Sequence, residues 1–192
     1  MTILPIDEVN ALEDKLVVHF EDNGKGRIKS KEDAEDIIDE LLDLFLLAYS
    51  SGVNATNGEL GTSNLPSIDS VETAVNKNIA GKTFRDRVMD YYENGGTLYD
   101  IKRIAETDAT RIYNQGTIDA VIANDMQYLT QKWWHTRLDD RVRDTHDYLE
   151  GVSVPIDAEF YTFDGDHADG PGTFELPENN INCRCWLEIE GL

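Results

Sequence analysis

Apolar residues recur at helical spacing through most of the first two thirds of the chain, and they alternate only towards its end. The first apolar-periodic stretch, residues 5–20, predicts a short helix from Pro5 through "IDEVNALEDKLVVHF", broken by "EDNGKGRIKS". "GKG" in that break lacks phosphate-loop spacing and reads as a turn. Ser30 with Asp33 then opens the clearest helix, with a capping-box-like start. Its stripe runs through Ala34, Ile37, Ile38, Leu41, Leu42, Phe45, Ala48 and Tyr49. Leu44, Leu46 and Leu47 widen the stripe until the second half is apolar nearly all round, which asks for cover on most sides. Residues 50–68 are rich in Ser, Gly and Asn and predict a linker, with boundaries at 53 and 68. Helical patterning resumes over Asp69–Glu93 and is stopped by "NGG" at Asn94–Gly96. Two further helices are predicted over Leu98–Glu106 and Asp108–Ala123.

The character then changes. Met126–Asp140 is rich in aromatic and β-favouring residues and predicts a strand, with Trp133 and Trp134 on opposite faces. A short helix over Asp144–Leu149 follows, capped by Gly151. "VSVPID" and "AEFYTF" read as short extended pieces, "DGDHADG" as a solvated acidic turn, and "NCRCWLEIE" as a final strand. Helices first and strands later predict an α+β chain: N-terminal helices, then a small antiparallel sheet with a short helical insertion. The division is 1–52 helical, 53–68 linker and 69–192 the sheet-bearing domain.

Composition narrows the classes of function. The 192 residues carry 38 acidic against 17 basic side chains, a formal charge of −21, which argues against a broad nucleic-acid surface. The acid is spread along the chain, consistent with a basic-surfaced neighbour or with adaptation to high salt; high salt is the favoured origin. No apolar stretch is long enough to span a bilayer, and the opening residues lack a basic region followed by an apolar run. Two cysteines do not make a disulfide framework.

Those cysteines, Cys183 and Cys185, stand two apart, so on a strand both thiols face one way and Arg184 the other. They form half a zinc site, to be completed from His146, His135 or His167, or else two small buried thiols. "TRLDDRVRDTHDYLEG" packs Arg137, Arg141, Arg143 and His146 among carboxylates. An enzyme would use His146 as base and the arginines for an anion. A structural segment would have Asp139 or Asp140 capping a turn, Arg141 paired with a carboxylate, and His146 hydrogen-bonded in the core.

"RIAETDATRIYNQGTIDAV", then "KWWHTRLDDRVRDTHDYLEGVSVPID", then "PENNINCRC", together resemble the phage Mu F-like minor head protein family, also called the phage head morphogenesis family. The resemblance spans roughly residues 80–190. It places Glu106 and Arg111 on the family's helix, Arg141, His146 and Gly151 in its central motif, and Asn182, Cys183, Arg184 and Cys185 in its closing motif. Some relatives carry Cys-x-x-Cys in the central motif, where this chain has Arg143 and His146; a zinc site built on Cys183, Cys185 and His146 would therefore need a further ligand. Glu150 stands where the family has Asp.

The resemblance implies a virion component of a tailed virus, with no catalytic residues. It would sit at the portal vertex or capsid interior and act in head assembly, genome packaging or DNA ejection. The implied partners are the portal protein, the major capsid protein and further copies of itself, with no membrane, and host cytoplasm is its place during assembly. The helices Pro5–Phe20 and Ser30–Tyr49 become the candidates for portal docking. With the acidity, the expected host is halophilic. The competing expectation is a zinc-binding or nuclease/transferase-like effector packaged in the virion, using His135, Arg137, Arg141, His146 and Glu150. An appended effector domain is not expected, since the chain reaches Leu192 directly after the resembling region.

Overall fold

The computed structural model of the chain describes residues 6–79 and 81–191. Five helices come first: α1 (Ile6–Leu16), α2 (Lys31–Leu60), α3 (Ile68–Val75), α4 (Phe84–Asn94) and α5 (Leu98–Ala123). A small β region with two one-turn helices follows: β1 (Thr130–His135), α6 (Asp144–Asp147), β2 (Ser153–Pro155), β3 (Phe160–Tyr161), β4 (His167–Ala168), α7 (Pro177–Asn180) and β5 (Trp186–Gly191). The fold is α+β, as the order of periodicities predicts. The sheet is antiparallel in the order β2-β1-β5, with Trp134 opposite Leu187 and Lys132 opposite Ile189; β3 and β4 form a separate pair.

Two hydrophobic clusters share α5 as their spine. One gathers Leu16, Ile37, Leu41, Phe45, Phe84 and Ile101 from the helices. The other surrounds Trp134 with Phe160, Phe174, Leu187 and Ile118. Trp134 is fully buried whereas Trp133 is half-buried, the expected two faces of β1.

The predicted N-terminal helix is shorter than residues 5–20: α1 ends at Leu16 and two 3-10 turns follow, while Pro5 lies outside the described residues. The predicted linker begins inside a helix. α2 starts at its Ser30 cap, which accepts from the Asp33 amide, and runs on to Gly61, whose φ of 65° ends it. Val53, Thr56 and Asn57 are buried in it. One of its glycines, Gly52, serves a close helix crossing, and Gly61 ends the helix. A Cβ on Gly52 would lie 2.1 Å from the Tyr113 carbonyl oxygen, and one on Gly116 would lie 2.4 Å from that of Tyr49. Tertiary packing overrides the low helix propensity of "SSGVNATNG".

The predicted helix over 69–93 is two helices, because Thr83 and Asp86 form a full capping box that starts α4 afresh. The predicted break at Thr107 is absent. Asp108 does not compete for helix backbone, because its carboxylate is taken by Arg87 (2.5 Å) and Arg111 (3.2 Å). The strand predicted over Met126–Asp140 is confined to β1, and Leu138, at φ 52°, lies in the turn beyond it. α6 covers only the start of the predicted Asp144–Leu149 helix. "DGDHADG" is not all solvated: buried Asp166 accepts from the amides of His167 (2.9 Å), Glu175 (3.2 Å) and Leu176 (3.3 Å) and from Asn179 Nδ2 (2.7 Å).

Candidate functional site

Asn182 has φ 58°, and the chain straightens into β5 only at Trp186, so Cys183 and Cys185 precede the strand expected to hold them. They still face the same way. Asn114 on α5 fixes this segment by donating to the Cys185 carbonyl (3.3 Å) and accepting from the Leu187 amide (2.9 Å). The thiols meet His146 of α6, with Nδ1 3.6 Å from Cys183 Sγ and 3.5 Å from Cys185 Sγ. The three residues are 2%, 3% and 1% exposed. The imidazole stacks on Phe174 at 5.2 Å and meets Trp134 edge-on at 5.5 Å. The pair of thiols titrates as a unit. Hydrogen bonds from Cys185 and His146 hold Cys183 well below the usual thiol range, and the adjoining Cys183 pushes Cys185 up.

Sulfur and imidazole donors within 4.8 Å of one another suit zinc in kind. A closed tetrahedral site needs a fourth ligand, and among the described residues no other His, Cys, Asp or Glu joins the three. His135 lies between Glu150 (3.1 Å) and Glu188 (3.0 Å), and His167 pairs with Glu159 (3.2 Å). A metal-bound imidazole also donates its other nitrogen to a carboxylate, carbonyl or water. Here His146 Nε2 is buried without a partner among the described residues. The trio supplies three of the four donors of a closed zinc centre and, as described, forms a hydrogen-bonded thiol–imidazole cluster.

Arg184 points away from the sulfurs and grips Asp139 with both guanidinium nitrogens, at 2.7 and 2.6 Å. This pair holds the Asp139 carboxyl down to about 2. Asp139 also caps its turn by accepting from the Arg141 amide at 3.1 Å. The expected carboxylate partner thus belongs to Arg184, not to Arg141. Gly151 occupies the left-handed region at φ 71° and donates to the Trp134 carbonyl. Arg111 is buried in α5, bound to Asp108 and to the Ala74 carbonyl at 2.8 Å.

Four motif positions distant in sequence, Glu106, Arg141, Asn182 and Arg184, converge on the wall of one cavity of about 450 Å³. Arg111, His146 and Gly151 do not line it. Sequence reasoning missed Tyr99, Lys102 and Arg103, which also line it with Arg143. A signal was present, since residues 99, 102, 103 and 106 share one face of a helix. The residues grouped for an enzyme converge only in part: His135 meets Glu150 at 3.1 Å, while Arg141 lies on the cavity wall. His135 is stacked on Trp186, Arg137 lies over the same indole at 5.3 Å, and His146 is sealed in the core.

Residues 69–188 match the family described as phage Mu protein F like protein. Over 84 residues, 43% of this chain, the sequence is 36% identical to an NAD(+)–arginine ADP-ribosyltransferase of Enterococcus faecalis, covering 17% of that protein. Over 91 residues, 47% of this chain, it is 29% identical to a minor head protein of Bacillus phage SPP1, covering 30% of that protein. The chain thus spans less than a third of the length of these relatives. No solved structure matches it. With the match covering more than half of the chain, and with the motif residues meeting at one cavity, this chain belongs to the phage Mu F-like protein family.

Proposed function

We propose that this chain is a minor head protein of a tailed virus, bound at the portal vertex and acting in head assembly, with a further part in genome packaging or ejection. The observation that carries the reading is family membership, joined by similarity to a minor head protein of a phage. The portal protein is the proposed principal partner, with the major capsid protein and other copies of this chain as neighbours; assembly takes place in the host cytoplasm and the product is the virion. The docking elements are α1 and α2. Leu46 and Leu47 of α2 stay 40% and 45% exposed, so the broad apolar stripe is not fully covered within the chain. No helix among the described residues is long and apolar enough to cross a membrane. The test is imaging of the intact virion with mass spectrometry of its proteins. The expected result is this chain at the portal vertex in a fixed copy number; virions lacking it overturn the proposal.

The host is proposed to be halophilic, on the strength of a net charge of −21. Stability that falls on dilution from molar salt supports this, and unchanged stability at low salt refutes it. The similarity to a transferase favours a second reading, a packaged effector enzyme. Incubation with labelled NAD(+) and an arginine acceptor tests it; labelled acceptor would establish the effector, and the separation of buried His146 and cavity-lining Arg141 from His135 and Arg137 leads us to expect none.

A further inference from the structure

Five cations, Lys102, Arg103, Arg141, Arg143 and Arg184, line the cavity at the start of α5 with one carboxylate, Glu106, in a chain of net charge −21. Three of the five are neutralised. Lys102 pairs with Glu13 (2.6 Å), Arg103 with Asp100 (3.5 Å), and Arg184 with Asp139. Arg143 donates to the Ile181 carbonyl, which carries no charge to cancel its own. Exposed Arg141 and Glu106 form no ion pair within 4.0 Å among the described residues. Tyr99, 67% exposed, stands on the same wall.

We propose that this cavity binds a nucleotide through its phosphate. Arg141 and Arg143 take the phosphate oxygens, as guanidinium groups do best. Tyr99 offers a flat face to the base. Glu106 accepts a hydrogen bond from a sugar hydroxyl or an exocyclic amine. An acidic peptide fits less well, because it would set a carboxylate against Glu106 and leave Tyr99 without a flat partner. A duplex fits less well too, because the surrounding surface repels a long polyanion, and the concavity has the volume of a small-molecule pocket. The proposal stands independently of where in the virion the chain sits.

Calorimetric titration of the full chain at low salt tests it, using deoxythymidine monophosphate, inorganic phosphate, a 5′-phosphorylated oligothymidylate and an oligoglutamate peptide. Saturable binding of the monophosphate is expected, weakened about tenfold or more by Arg141→Gln. Tyr99→Ala should weaken the monophosphate and leave inorganic phosphate unchanged, a split that a folding defect would not give. An oligonucleotide that displaces the monophosphate identifies a strand end as the source of the phosphate; one that does not identifies the free nucleotide. Absence of saturable monophosphate binding, affinity unchanged in Arg141→Gln, or tighter binding of the peptide overturns the proposal.

Discussion

The crossing of α2 and α5 allows a sharp test of what joins the N-terminal helices to the family region. Gly116→Ala would place a methyl carbon 2.4 Å from the Tyr49 carbonyl oxygen, and Gly52→Ala would place one 2.1 Å from that of Tyr113. Both obstacles are backbone atoms, so no rotamer change relieves them, and the helices must part by about an ångström. Overpacking of this kind costs about 1–3 kcal/mol, sometimes more. Replacing a mid-helix glycine by alanine returns up to about 1 kcal/mol of propensity. The net expectation is a loss of about 1–2 kcal/mol for either variant, near 2–8 °C in Tm for a chain of this size. Gly58→Ala is the control, in the same helix with nothing within 4 Å of the added carbon. It should be neutral or stabilising. Urea and thermal unfolding followed by circular dichroism measure all three. Gly116→Ala matching the wild type, or both it and Gly58→Ala gaining stability together, would refute the close-crossing argument.

Arg111→Met removes one partner of a buried pair and leaves the Ala74 carbonyl without its donor, a loss of about 3 kcal/mol in urea unfolding. Arg111→Lys should not restore it, since one ammonium replaces a planar fork that reaches both Asp108 and that carbonyl. Burial pulls the Lys132 ammonium down to about 8, against the opposing pull of Asp169, Asp157 and Glu159. Between about pH 8 and the usual lysine value of 10.5 the unfolded chain holds the extra proton, so folding stability contributed by this group should rise with pH across that window. Lys132→Met, compared with the wild type by unfolding at pH 7 and pH 10, should lose this component of the rise; equal pH dependence in the two proteins would exclude it. Cys183 and Cys185 should resist a thiol-specific disulfide reagent in the native state and both react after unfolding. Rapid reaction of either one in native buffer would contradict their burial.

Much of the fold was legible because it follows from local chemistry. The stripe from Ala34 to Tyr49, the stop at Gly95 in the left-handed region, the two faces of Trp133 and Trp134, and the Gly151 turn each depend on a few neighbouring residues. The errors arose where distant residues decide. "SSGVNATNG" reads as a linker until α5 is laid against it, and residues 98–123 read as two helices until Arg87 and Arg111 occupy the Asp108 oxygens. The orientation of the cysteines came out as expected for a different reason: the Asn182 turn and the Asn114 clamp aim them at His146, rather than strand alternation. The cavity was hidden because its walls come from residues 99–106, 141–143 and 182–184, which no local pattern connects.

At a rise of 1.5 Å per residue, the 30 residues of α2 form an unbroken rod about 45 Å long. Its middle carries the exposed Leu46 and Leu47; its C-terminal end lies beside β5, where Leu60 approaches Gly191. The glycine notch at Gly52 clamps the rod to α5 between those two points. Such a strut has a fulcrum. A load applied at those leucines would be carried as rotation about the notch, and the sheet end would move without any hinge having to unfold.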